Sequence, residues 1–196
     1  RVNVNNPTNY KTHSLEKFYK TLSAAAKLNA GELNIEGAVA DDEHLYLFNR
    51  GKNIAFKLRL TGFLEHINSG GNCPVPEVFH FKLAKINGIE AGFSGATITT
   101  DKKKILFTAS VENTPNWYDD GEVLGSFVGI INIQTLTDNT QPFCIPIIDK
   151  GNTLKIKVES VALNYIDPNG ALHLLLVTDS DGDTSELFEA RLGVKR

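Results

Sequence analysis

Carboxylates recur at short intervals near the end of the chain, in Asp179-Ser180-Asp181-Gly182-Asp183. Asp179, Asp181 and Asp183 would offer hard oxygen ligands to a calcium ion. The order departs from an EF-hand loop, where Gly follows the third acidic ligand and a Glu closes the loop. The competing assignment is a solvated Asp/Gly turn between two strands. Glu36 and Glu159 are a second pair, because they stand at equivalent points of an internal repeat. Each would bind a ligand, or accept bonds from backbone N–H groups or from an arginine such as Arg50. Arg50 itself would fix an anionic ligand through its planar fork, or neutralise those carboxylates. The segment from Glu112 to Glu122 adds Asp119, Asp120 and the one tryptophan, Trp117, between Asn116 and Tyr118. Such an aromatic offers a face to a sugar or another polar ring, or packs as a lid over neighbouring structure.

Other chemistries find little support. The five histidines have no metal-ligand spacing, and Cys73 and Cys144 are too far apart for a short zinc motif. The cysteines are expected to be free, largely buried thiols, which favours a reducing compartment such as the cytoplasm over the periplasm. No nucleophile elbow, phosphate-binding loop or dinucleotide fingerprint is present. A formal net charge of -3 gives no basic field for nucleic acid, and no stretch is long and apolar enough to suggest a membrane span. The expected partner is a small polar or anionic ligand. The chain starts at Arg1 and contains no Met, which suggests a truncated or processed product with further sequence upstream.

The elements that would position these residues come in three copies. A first strand reads Ile35–Ala40, Phe93–Ile98 and Val158–Leu163. A turn follows at Asp41-Asp42-Glu43, Thr100-Asp101-Lys102-Lys103 and Asp167-Pro168-Asn169-Gly170, built from residues that bond their own backbone or tolerate unusual dihedrals. Second strands follow at 45–48, 105–108 and 174–177, and third strands at 54–60, 127–133 and 186–192. Fourth strands are expected at Val78–Ile86 and Phe143–Ile148, and the third unit ends without one. The repeat length of about sixty residues fits a four-stranded antiparallel propeller blade with long connections. Second strands apolar on both faces suit a sheet covered on both sides. Small first-strand residues such as Gly37, Gly95 and Ala96 suit strands crowded about a central axis.

The expected fold is therefore all-β, a β-propeller with about three blades over 35–90, 93–149 and 156–196, part of a ring of roughly five or six blades. One helix is expected at Ser14–Lys27, where Leu15, Phe18, Tyr19 and Leu22 fall at helical spacing and Ser14 would be the N-cap. In an up-and-down sheet, the start of strand one, the end of strand two and the loop to strand three share one end. That rule gathers Glu36, Arg50, Glu112, Trp117, Asp119, Asp120, Glu159, Asp179, Asp181 and Asp183 on one rim. It sends His44 and His173 to the other.

The strings Leu33-Asn34-Ile35-Glu36-Gly37-Ala38, Leu45-Tyr46-Leu47-Phe48-Asn49-Arg50-Gly51, the 112–121 segment and Val177-Thr178-Asp179-Ser180-Asp181-Gly182 resemble an uncharacterised bacterial propeller family. That family is a domain of unknown function common in Bacteroidetes, and the likeness covers the chain from about Leu15 onward. It implies further blades upstream. More distantly, the Glu-Gly start of strand one is similar to phytase-like and gluconolactonase-like propellers, in which carboxylates at the channel mouth hold divalent cations for hydrolysis. The chain lacks the other recognisable parts of those patterns, and a shared fold does not carry an activity. Two functions follow as expectations: a ligand-binding or interaction module using an acidic rim, with calcium as the candidate cofactor, or a metal-dependent hydrolase with Glu36 and Glu159 as ligands.

Overall fold

Lys104–Asn113 and Glu122–Asn132 are rich in Ile, Val, Phe and Ser/Thr, and form the two longest strands. Such residues fit a pleated surface buried on both faces. The computed structural model describes residues 2–3, 5–114, 121–179 and 184–193. It contains three principal antiparallel sheets, each with strands in chain order. The first sheet comprises Ile35–Ala40, His44–Asn49, Ile54–Arg59 and Glu77–His80. The second comprises Gly92–Ile98, Lys104–Asn113, Glu122–Asn132 and Phe143–Pro146. The third has three strands, Val158–Ile166, Leu172–Thr178 and Leu187–Leu192. Among the described residues, no helix is long and apolar enough to cross a membrane.

The sheets stack through alternating side chains. In the second sheet, Ile105, Phe107, Ala109 and Val111 face the first sheet and join Tyr46, Phe48 and Phe93 in one core. Leu106 and Val128 face the other way, against Val158, Val161, Leu174 and Leu176 of the third sheet. Phe93 is the hub of the first core, with edge-on contacts to Phe48, Phe81 and Phe107 at centroid distances of 5.1, 5.5 and 5.1 Å. Rings in this arrangement add to the stabilisation from area burial.

The first strands touch one another. A Cβ at Gly37 would lie 3.1 Å from the Ala96 Cβ, and one at Gly95 only 2.7 Å from the Glu159 carbonyl oxygen. The small residues of these strands are therefore a steric requirement of their close approach.

Two helices cover the outer face of the first sheet. Helix α1 spans Glu16–Ala25 and buries Phe18 and Leu22 against Leu47, Ile54, Phe56 and Leu58. It begins later than the sequence suggests: Leu15 is the N-cap, and Ser14 accepts only a long bond, 3.4 Å, from the Glu16 amide. Helix α2, Leu60–Ser69, begins on the last residue of the strand expected over 54–60 and runs on through residues to which the sequence assigned no helix. Its Phe63 packs at a tilt against Phe18, with ring centroids 4.9 Å apart, and Gly70 ends it in the left-handed conformation, donating its N–H to the His66 carbonyl. The expected strand Val78–Ile86 is also shorter, because the chain leaves the sheet after His80 and turns back as a hairpin, Lys85–Ile86 with Ile89–Glu90. Asn87 and Gly88 both have positive φ at that turn, the conformation that matches a two-residue hairpin to strand twist.

Candidate functional site

Each principal sheet carries a bulge at the same place. Ile35 and Gly37 pair with the consecutive residues Asn49 and Phe48, leaving Glu36 extra. Phe93 and Gly95 pair with Ala109 and Thr108, leaving Ser94 extra. Val158 and Ser160 pair with Thr178 and Val177, leaving Glu159 extra. A bulge re-aims the side chain it carries and is a feature of sheet edges and active sites. Glu36, Ser94 and Glu159 are the repeat anchors of the sequence, so its periodicity coincides with a backbone device.

From this end of the sheets a chain of charges crosses all three. Arg50, in the turn after the first sheet's second strand, passes over Gly92, where a Cβ would lie 2.7 Å from Arg50 Cγ. Its Nη2 donates to Glu112 Oε1 of the second sheet at 2.6 Å. Lys157 Nζ lies 3.7 Å from the same Glu112 oxygen and 3.4 Å from Glu159 Oε1 of the third sheet. Arg50, Glu112 and Lys157 are 11%, 7% and 9% exposed, so these charges depend on one another and not on water. Glu159 is one-third exposed. Burial pushes its pKa up, Lys157 opposes that, and the charges of Asp179 and Glu36 push it further up. Glu36, Glu159 and Asp179 thus share one electrostatic neighbourhood.

Uncharged side chains hold the same end together. Asn49 is fully buried; its amide donates to the Glu32 carbonyl and its oxygen accepts the Asn34 N–H. Asn53 donates to the Ala91 carbonyl at 2.8 Å and accepts the Phe93 N–H at 3.2 Å, tying the first sheet to the second. Ser94, Ser110 and Ser126 form a buried row across the second sheet. Ser94 and Ser110 donate to the Val158 carbonyl, while Ser126 donates to that of Ile156 and accepts the Val158 N–H. The row seats the start of the third sheet, which carries Lys157 and Glu159.

A profile for a family of unknown function, DUF6929, matches residues 1–192. The chain belongs to the DUF6929 family. No curated protein matches this DUF6929 chain.

Of the residues singled out from sequence, the structure brings Glu36, Arg50, Glu112, Glu159 and Asp179 to one end of this DUF6929 fold. Trp117, Asp119, Asp120, Asp181 and Asp183 lie outside the described residues. Arg50 takes Glu112 as its carboxylate partner. Lys157, the hinge of the charge chain, went unread in the sequence. Its signal is a lysine between Ile156 and Val158 at the start of a strand, where an unpaired charge would be costly. Among the described residues, no three His, Cys, Asp or Glu side chains are grouped closely enough to hold a metal ion. Cys73 and Cys144 are free and half-buried, and burial pushes the Cys144 thiol up.

His44 and His173 stand at the opposite end, each beside a turn aspartate. Asp41 accepts the N–H groups of Glu43 and His44, and Asp167 those of Asn169 and Ala171. Asp101 accepts the Lys103 N–H and the Thr99 hydroxyl.

Proposed function

We propose that the three sheets are successive propeller blades, over 35–90, 93–149 and 156–196, and that the chain is a binding module whose ligand sits at the acidic rim. The touching first strands, the stacked antiparallel sheets and the bulges in register support the propeller. The observation that carries the binding reading is the composition of the rim. Among the described residues of the rim, Glu36, Glu112, Glu159 and Asp179 outnumber Arg50 and Lys157, and both cations are engaged by carboxylates. The unbalanced charge favours a cationic ligand, a small amine or a calcium ion that keeps most of its waters, over the anionic one expected from Arg50 alone. Among the described residues, nothing in the site supports hydrolysis over binding.

Calcium titration followed by thermal unfolding and calorimetry tests this reading. The expected result is saturable binding with a raised Tm, weakened by Glu159→Gln and again by Glu36→Gln. No heat and no Tm shift with calcium, magnesium or a simple diamine would overturn it. Unchanged binding in the double variant would place the ligand elsewhere.

A further inference from the structure

The third sheet differs from its two neighbours at its outer edge. In the first and second sheets a fourth strand pairs with the third, as in Phe127–Ile130 with Phe143–Pro146. Among the described residues, Leu187–Leu192 of the third sheet has a strand on one side alone. Beside it runs an apolar groove of about 680 Å³ lined by Phe188, Ala190, Leu192, Val128, Ile145 and Ile147 among others. Leu187 is 66% exposed at the start of the same strand. An unpaired edge next to an apolar groove is a template for strand addition.

The backbone and the charges of this strand select a partner. Thr178 N–H donates to the Glu186 carbonyl, so even-numbered residues turn their backbone groups inward and Leu187, Glu189 and Arg191 turn theirs to the open edge. A second copy pairing antiparallel about a two-fold axis at Ala190 would exchange bonds between Glu189 and Arg191 of the two strands. That register puts each Glu189 opposite an Arg191, and each Phe188 opposite a Leu192 over the groove. An axis at residue 189 would oppose glutamate with glutamate, and one at 191 arginine with arginine, both destabilising. Register in a strand pair is set by such contacts.

We propose that a second copy of this chain adds its Leu187–Leu192 strand to this edge, forming a two-fold symmetric dimer with one continuous sheet centred on Ala190. The interface is isologous, so it closes at two copies. Sedimentation velocity on the full chain should show a monomer–dimer equilibrium, with slow, concentration-dependent amide exchange at Leu187, Glu189 and Arg191. Glu189→Arg should abolish the dimer by opposing like charges, and Glu189→Arg with Arg191→Glu should restore it. A monomer at every soluble concentration overturns the proposal; if its edge amides still exchange slowly, another segment of the chain fills the edge. A dimer that persists in Glu189→Arg also overturns it, because the contact then lies elsewhere. Folding of the variants is checked by far-UV circular dichroism and by thermal unfolding.

Discussion

At the hairpin end, Asp41, Asp101 and Asp167 hold the same place in each sheet and do the same work, folding a turn onto their own carboxylates. At the other end, Glu36, Ser94 and Glu159 also hold one place, on a bulge, yet their surroundings differ. Ser94 is buried and donates to the third sheet, whereas Glu159 faces Lys157 and stays one-third exposed. Repetition of a turn costs nothing in specificity, because each turn is satisfied locally. Repetition of a bulge provides three re-aimed positions, and what occupies them sets the chemistry of the rim. The hairpin end is therefore scaffold, and the bulge end is where a function can differ from one sheet to the next.

The largest test of this contrast compares Glu112→Ala with Asp101→Ala. Removing Glu112 leaves the Arg50 guanidinium and the Lys157 ammonium buried without their shared carboxylate. Breaking a buried pair in this way costs about 3–5 kcal/mol. Asp101→Ala loses two turn bonds, from the Lys103 N–H and the Thr99 hydroxyl, and should cost about 1–2 kcal/mol. Urea unfolding measures both. Equal costs would mean that the charge chain is no more demanding than a surface turn.

A smaller effect is expected at the crossing of the first strands. Gly95→Ala forces a methyl group against the Glu159 carbonyl, and backbone atoms must move. Overpacking of this kind costs about 1–3 kcal/mol. Because the displaced atom belongs to Glu159, the same variant should also weaken any rim ligand. A loss of stability without a change in calcium response would separate the crossing from the site. Ser110→Ala should cost less, about 1 kcal/mol, because Ser94 still donates to the Val158 carbonyl. Adding Ser94→Ala strands that buried carbonyl, so the double variant should lose more than the two single losses together.

Much of the scaffold was legible because its signals are local. Asp-containing turns, runs of β-branched residues and the return of small residues after Glu36, Ser94 and Glu159 all lie within a few positions of one another. The rim assignments for Glu36, Arg50, Glu112, Glu159 and Asp179 followed from strand direction alone. What escaped depends on distant partners. Helix α2 has a modest pattern of its own and is held by Phe63 against Phe18. Lys157 takes its meaning from Glu112, a residue of the second sheet. The serine row is visible only once strands 92–98, 104–113 and 122–132 are set side by side. The bulges leave no mark in residue type, since Glu and Ser share the position.

The smallest effects are those of pH, and there the two ends should respond in opposite directions. Asp167 has its pKa held below the ordinary 3.8 by the Ala171 N–H, against some desolvation, with help from His173, Arg191 and the Asn169 N–H. Its folded state prefers the charged form, so its contribution is complete above 3.8 and fades as pH falls through the folded value. Glu159 lies above its ordinary 4.5 because burial, then Asp179 and Glu36, outweigh Lys157. Its charged form therefore costs stability at any pH above the raised value; the cost shrinks as pH falls through that value and is gone below 4.5. Asp167→Asn keeps an acceptor for the turn and should be slightly less stable than the parent near neutrality, converging with it in acid. Glu159→Gln should be slightly more stable near neutrality and converge from the other side. Thermal unfolding of the three proteins from neutral pH to about pH 3 reads both slopes. If Glu159→Gln proves less stable near neutrality, Lys157 outweighs burial at that carboxylate, and the rim carries no surplus of negative charge to offer a cation.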